Sequence, residues 1–360
     1  MGKTKVLVGL SGGIDSSISA LFLKRKGYEV IGVFMKIFDE KFKKFFKDKS
    51  ACYGPEEKDI EDVKKICKIL DIPLYIIDLK NEYHEIVLNY FKKEYLNGKT
   101  PNPCIICNRF LKFDILLKKA FLSGINFDFF ATGHYAKVEY DNERKRYILK
   151  RGIDKEKDQS YFLFLLTQEQ LSKIIFPLGD YTKQQVKEIA KKNNIPLLEK
   201  EESQDFIKGD RSFIFCSKEN KEGYIVDKNG NLLGKHKGII YYTIGQRKWL
   251  GIARGKPLYV IEIKGDENKI VVGDEKDLYK NEIIAENVNF ISIEKLEKDI
   301  EVEVKIRYKH IPTKAIIKPI DEKKVKVIFE KPQRAPTPGQ AVVFYKKDEV
   351  IGGGFISLVT

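Results

Sequence analysis

The sequence predicts an α/β fold: an N-terminal parallel sheet with helices on both faces, then a small central domain and a C-terminal β-barrel. Three observations carry the prediction. Up to about residue 200, short apolar runs alternate with amphipathic stretches of helical period, the pattern of a parallel sheet wrapped by helices. The first run breaks into Ser11-Gly12-Gly13-Ile14-Asp15-Ser16-Ser17 before a helical stretch begins. Beyond Ser203 the pattern shifts to short strand-like runs parted by polar turns. Domains are expected over residues 1–203, 204–280 and 281–360.

In chain order, the strands expected in the first domain are 5–10, 30–35, 73–78 and 127–132, with helical stretches at 16–26, 58–70 and 82–96. Right-handed crossovers place the loops after these strands along one carboxyl-terminal edge, where such sheets bind ligands. Further on, Asp227-Lys228-Asn229-Gly230, Lys264-Gly265-Asp266-Glu267 and Lys346-Lys347-Asp348-Glu349 read as turns. Strands near 301–308, 313–319, 323–329 and 340–345 complete a barrel-like domain. The basic-aromatic run 41–49 reads as a solvated face.

The chain has 360 residues, more than one compact domain usually needs. No apolar run approaches the roughly 18 residues of a membrane span, and the N-terminus lacks the apolar core of a signal peptide. A cytoplasmic, membrane-free monomer is the expectation. Net charge is +14, with 66 Lys and Arg against 52 Asp and Glu. That balance admits a nucleic-acid partner and, equally, a lysine-rich soluble surface. Five cysteines in such a chain argue against a disulfide scaffold.

The Gly-Gly turn carries the first chemistry. A strand feeding two glycines into a helix lets backbone N–H groups converge on an anion. No Cβ obstructs them, and the helix N-terminus adds positive potential. Ser11, Ser16 and Ser17 add hydroxyl donors, so the turn reads as a phosphate cradle. It matches neither the GxxxxGK(S/T) of a Walker loop, since no lysine follows the glycines, nor the GxGxxG of a dinucleotide fold. Asp15 suits a hard cation such as Mg²⁺ beside a phosphate, or a helix cap.

The second constellation is Thr100-Pro101-Asn102-Pro103-Cys104-Ile105-Ile106-Cys107. The prolines make the segment extended and rigid. A CxxC then enters a helical pattern, where the helix dipole lowers a thiol pKa. A structural zinc site needs four ligands, and no second CxxC or histidine pair supplies the rest. His134 follows an expected strand and sits at the ligand edge, either in a pocket or as a core histidine. Gly245-Gln246-Arg247-Lys248 beside Trp249 places cations next to a stacking surface of use to RNA.

With these residues in view, Ser-Gly-Gly-x-Asp-Ser-Ser after a first strand is similar to the pyrophosphate loop of the N-type ATP pyrophosphatases, the PP-loop or adenine nucleotide α-hydrolase-like proteins. That resemblance implies adenylation: ATP activates a carbonyl oxygen and pyrophosphate leaves. Over its whole length the chain resembles the tRNA-specific 2-thiouridylases. The matching segments include GLSGGIDSS, TPNPCIICNRFLKF, ATGHYAKV, KDQSYFLFLLTQEQL, FPLGDYTKQQVKEIA, YYTIGQRKWLGI and RAPTPGQAVVFY. The resemblance implies thiolation of the wobble uridine of tRNA. ATP would adenylate the C2 oxygen, and enzyme-bound sulfur would displace AMP. It implies ATP contacts at Gly9, Leu10, Ser11, Gly12, Gly13, Ile14, Asp15, Ser16, Met35 and Gly133. It implies tRNA contacts at Asn102, Pro103, Cys104, Lys157, Asp158, Gln159, Arg307 and Tyr308, with Cys107 as the nucleophile. A sulfur donor, whether a cysteine desulfurase, a relay protein or sulfide, is the further implied partner.

Two departures stand out. Cys104 occupies a position where many members carry Asp. The second catalytic cysteine of the family, expected just after Ser203-Gln204-Asp205, is absent: the chain continues Phe206-Ile207-Lys208-Gly209-Asp210. Three options follow. Cys104 and Cys107 can act as sulfur carrier and resolving thiol, since CxxC favours a low-pKa thiol and an easily closed disulfide. Cys104, Cys107 and a third cysteine, Cys216 or Cys52, can hold a 4Fe–4S cluster with one open iron. Or the chain binds tRNA and has lost thiolation.

Overall fold

In a computed structural model, Lys5–Gly9 forms strand β1. Its central residues Val6, Leu7 and Val8 are fully buried, so both faces of the strand are covered, as a parallel sheet requires. The structure describes residues 2–45, 53–196, 206, 212–215, 221–252 and 256–359. They fall into two compact units. One draws on residues 1–87, 104–210 and 348–350, the other on 88–103, 211–347 and 351–360.

In the first unit β1 leads into helix α1 (Ile14–Arg25), then β2 (Glu29–Lys36), α2 (Glu57–Leu70) and β3 (Leu74–Asp78). A long helix α3 spans 80–96, with a π-helical turn at His84–Leu88, and from Leu88 onward its residues count with the second unit. Helix α4 spans 103–122 and is π-helical over Cys107–Ile115. Strand β4 (Phe129–Ala131) follows. A hairpin of β5 (Ala136–Asp141) and β6 (Arg146–Arg151) comes next. Strand β7 (Ile174–Ile175) and helix α5 (Lys183–Lys192) complete the unit. The parallel strands run in the order β3-β2-β1-β4-β7.

The helices cover both faces of this sheet. Val6, Val8, Val30 and Phe34 pack with Ile18 and Leu23 of α1, Val63 and Ile66 of α2, and Val186 of α5. On the other side, Phe113 of α4 meets Phe130 of β4 and Phe176 edge-on, at 5.6 and 6.0 Å. The four expected strands and three expected helices of this region all form, with ends displaced by at most two residues. The β5–β6 hairpin is an antiparallel insertion that an alternating α/β pattern does not announce. It pairs residue for residue from Ala136–Arg151 to Asp141–Arg146.

The second unit contains a four-stranded sheet. Its strands are β8 (Gly223–Val226), β9 (Leu232–His236), β10 (Tyr259–Lys264) and β11 (Lys269–Gly273), in the order β10-β11-β8-β9. Asp227 accepts from the N–H groups of Asn229 and Asn231, at 2.9 Å each, and so closes the β8–β9 turn. The C-terminal barrel uses β12 (Tyr279–Phe290), β13 (Ile300–Lys305), β14 (Thr313–Asp321), β15 (Lys324–Arg334), β16 (Ala341–Lys346) and β17 (Glu349–Val359). The order β12-β15-β14-β13-β16-β17 closes through β12–β17 pairing, which leaves no open sheet edge. Glycine permits the seam: a Cβ at Gly352 would lie 2.4 Å from the Asn289 carbonyl oxygen. Alternate residues such as Ile283, Val302, Val304, Val325, Val327 and Phe344 fill the interior. Among the described residues no helix is long and apolar enough to cross a membrane.

Candidate active site

The strand order places the switch point of the sheet between β1 and β4. The chain runs from β1 outward through β2 to β3, then returns to the other side of β1. Loops after two such strands diverge and leave a crevice at their carboxyl ends. The loop after β1 is Leu10–Gly13 by sequence, and the one after β4 carries Gly133 and His134.

Local geometry makes the first loop a cradle. Gly12 stands at φ +72, and Gly13 is extended (φ −95, ψ 162) as the cap of α1. Ser16 donates to the Gly13 carbonyl at 3.0 Å and accepts from the Ser11 N–H at 3.2 Å. Ser17 donates to the same carbonyl at 2.9 Å. The serines thus brace the turn from within, while Gly13 leaves its outer side open: a Cβ there would meet only the Ser11 hydroxyl, at 3.5 Å. Gly133 presses on the start of α1. A Cβ at that position would lie 2.7 Å from the Ser16 nitrogen and 2.8 Å from the Asp15 carbonyl carbon. Its absence of a side chain is therefore a packing requirement between the two crevice loops.

Asp15 does not stand alone. Lys183, the first residue of α5, places its Nζ 2.8 Å from Asp15 Oδ1 and 2.7 Å from Oδ2. The Tyr135 hydroxyl donates to Oδ1 at 2.8 Å. The Lys183 side chain is 14% exposed and that of Asp15 31%, so the pair is shielded yet reachable from the crevice. Sequence reasoning excluded a phosphate-binding lysine because none follows the glycines. The fold brings a lysine to Asp15 from 168 residues downstream. Thr182 caps α5 in a reciprocal box with Gln185, and the Lys183 N–H donates to Asp154 Oδ2 at 2.9 Å, so the lysine projects from a fixed base. The Thr182-Lys183 pair at an N-cap was the one legible signal.

Met35 lies half-buried near the end of β2, paired in register with Ile77. His134 contacts the Thr132 hydroxyl through Nδ1 at 2.7 Å and packs near Phe113 and Phe176. Burial, with Lys112 nearby as a second cause, holds its pKa well below the ordinary 6.5. His134 is therefore neutral at physiological pH.

The thiols sit on α4. Cys104 is half-buried and Cys107 buried, one turn apart and so on one helix face. Cys107 opens the π-helical stretch, a widened helix that recurs at functional sites. Gln170 supports the widening by donating to the Arg109 and Phe113 carbonyls at 3.0 Å each. Gln170 is itself held in a capping box with Thr167. Buried Asn108 donates to the Phe162 carbonyl at 3.2 Å. Cys67 differs: it belongs to the core beneath α2, and burial pushes its thiol up to about 11. Cys52, Cys216 and the Ser203–Asp205 segment lie outside the described residues. Among the described residues no three His, Cys, Asp or Glu side chains form a metal-holding group.

The remaining expected residues are placed as follows. Asp158 is buried, and its Oδ1 accepts from the Ser160 and Gly152 N–H groups at 3.1 and 3.3 Å. Gln159 ties Tyr135 in both directions at 3.0 Å. These two brace the residues around Asp15, and Lys157 remains half-buried beside them. Asn102 is half-buried and Pro103 buried at the head of α4. In the second unit, Arg307 is exposed and donates to the Arg334 carbonyl at 2.9 Å. Tyr308 is half-buried, with the Lys305 ammonium 5.4 Å from its ring centre.

A parallel sheet whose first strand opens through a glycine cradle into a helix, with a thiol-bearing helix packed on the neighbouring strand, defines a nucleotide-using α/β enzyme class of the PP-loop kind. The family models agree along the chain. Residues 4–208 match a tRNA methyl transferase HUP domain, 211–274 a tRNA methyl transferase PRC-barrel domain, and 280–356 an aminomethyltransferase β-barrel domain. A tRNA-specific 2-thiouridylase MnmA of Acetivibrio thermocellus is 47% identical, with 99% of this chain and 100% of that one covered. One of Caldanaerobacter subterraneus is 50% identical over 98% and 97%. One of Clostridium botulinum is 47% identical over 99% of each. The chain belongs to the tRNA-specific 2-thiouridylase family.

Proposed function

We propose that the chain is an ATP-dependent tRNA sulfurtransferase that converts the C2 carbonyl of a wobble uridine to a thiocarbonyl, releasing AMP and pyrophosphate. The observation that carries this is the braced Gly12–Gly13 cradle with Asp15, Lys183 and Tyr135 at the switch point. A phosphate cradle has a use in adenylation and none in methyl transfer, although the matching family models are described as methyl transferase domains. The donor set fits a triphosphate: backbone N–H groups at a helix N-terminus, and an ammonium on the same crevice. The carboxylate oxygens of Asp15 also suit Mg²⁺, which would neutralise charge on the departing pyrophosphate when bound with the nucleotide.

In this reading the uridine C2 oxygen attacks the α-phosphorus, and the bond to the pyrophosphate oxygen breaks. Lys183 offsets negative charge that develops on the leaving group. One thiol of the Cys104–Cys107 pair carries a sulfane sulfur delivered by a donor. That sulfur attacks C2, and the C2–O bond breaks with its electrons leaving on AMP. The second thiol then attacks the carrier sulfur, which frees 2-thiouridine and closes a Cys104–Cys107 disulfide. A cellular dithiol reopens it. Their one-turn spacing supports this pairing. Lys157, Arg307, Tyr308 and the Asn102–Pro103 head of α4 are the proposed tRNA contacts.

The test is anaerobic incubation with ATP, unmodified tRNA and a persulfide donor. AMP and pyrophosphate release that requires tRNA, with 2-thiouridine in the product, is expected. Binding of tRNA without nucleotide turnover would sink the proposal. Iron and acid-labile sulfide in the active protein would transfer the sulfur chemistry from the thiol pair to a cluster.

A further inference from the structure

Trp249 is the chain's one tryptophan, and it is 87% exposed. Tryptophan ordinarily buries most of its large apolar ring. Here the ring stands in solvent, and its backbone has φ +67, a left-handed conformation that bulky side chains avoid and glycine adopts freely. Neither core packing nor turn geometry accounts for an indole at this position. Strain of this kind held at an exposed loop marks function.

The surroundings specify a ligand. Arg247 and Lys248 precede Trp249 and are both exposed. Arg247 and Trp249, with Leu250, Ile252, Lys256 and Pro257, border an open concavity of about 390 Å³. Lys256 is held by Asp274 at 2.7 Å. Residues 228–261 contain seven Lys or Arg and no Asp or Glu. A flat aromatic face flanked by the exposed cations of Arg247 and Lys248 suits a nucleobase and its phosphate better than an apolar protein surface.

We propose that Trp249, with Arg247 and Lys248, is a stacking platform for an unpaired base of the tRNA. This inference rests on the tRNA reading above and adds a contact to it. Because there is no other tryptophan, indole emission excited beyond the tyrosine absorption band reports this position alone. The full-length protein is titrated with unmodified tRNA at fixed ionic strength, following indole emission and, separately, the anisotropy of labelled tRNA. Saturable quenching at the Kd found by anisotropy is expected. Trp249→Gly should raise that Kd about five- to 150-fold, the equivalent of one stacked base, while its melting temperature stays level or rises. Trp249→Phe should recover most of the affinity.

Binding of tRNA with unmoved emission would overturn the platform and leave the tRNA reading intact. So would a Trp249→Gly Kd within twofold of the parent, or quenching by a sulfur-donor protein in place of tRNA. Failure of the parent protein to bind tRNA at all would overturn both.

Discussion

Replacing Lys183 by Met keeps the aliphatic stem and deletes the ammonium. In the structure that ammonium makes two charge-assisted bonds to Asp15, at 2.8 and 2.7 Å, with side-chain exposures of 14% and 31%. Hydrogen bonds between charged partners contribute about 1.5–3 kcal/mol when partly shielded. An exposed pair would be worth far less. If Lys183 serves the triphosphate as it serves Asp15, that range becomes a loss of about 10- to 150-fold in kcat/KM for ATP. Lys183→Arg keeps the charge but not the compact point geometry and should recover part of the loss. The assay is tRNA-dependent pyrophosphate release at varied ATP. Circular dichroism and a melting curve confirm that each variant folds. A folded Lys183→Met protein with kcat/KM for ATP within threefold of the parent would refute the reasoning, because the ion pair would then be structural only.

Gly133→Ala puts a methyl 2.7 Å from the Ser16 nitrogen. It should destabilise the first unit by about 1–3 kcal/mol and weaken ATP binding, read by denaturant melts and nucleotide titration. Gln170→Leu removes the donor to the Arg109 and Phe113 carbonyls and half of a capping box. A loss of about 2–3 kcal/mol follows from these bonds, with slower alkylation or sulfur transfer at Cys107 if the π-helical stretch relaxes. In the native protein, Cys67 should resist iodoacetamide near neutral pH, since burial raises its thiol to about 11. Mass mapping that finds Cys67 modified as fast as Cys104 would contradict that core assignment. Burial lowers the pKa of His134, His236 and His310. Below about pH 6.5 the unfolded chain therefore binds protons that the folded chain refuses, and stability falls as pH drops. Each such histidine adds a slope of up to about 1.4 kcal/mol per pH unit. His134→Gln should remove one histidine's share in urea titrations between pH 5 and 7.

Local patterns were enough to place the strands, the glycine turn and the thiol helix. Strand burial and helical periodicity are properties of neighbouring residues, and Ser11–Ser17 carries its phosphate geometry within seven positions. The CxxC at a helix start was legible for the same reason, as were the turns at Asp227–Gly230 and Lys346–Glu349. Contacts between distant residues were not legible. Lys183 meets Asp15 because α1 and α5 pack on the same sheet face. Thr182 marks a helix start beside Lys183, but nothing local names Asp15 as the partner. The bonds of Asp158 and Gln159 were not legible either. As sequence they form a polar triplet with Lys157, while the fold buries Asp158 under backbone donors and ties Gln159 to Tyr135. Gly133 is marked in the sequence only through the resemblance, and its packing need shows once α1 is laid against it. The missing cysteine after Ser203-Gln204-Asp205 is the reverse case, a fact of sequence alone. The sequence by itself determined the elements, the cradle and the thiol pair, because each depends on residues adjacent in the chain. Only tertiary packing decided which cation meets Asp15 and which polar residues are braces, because those depend on which helix faces the crevice.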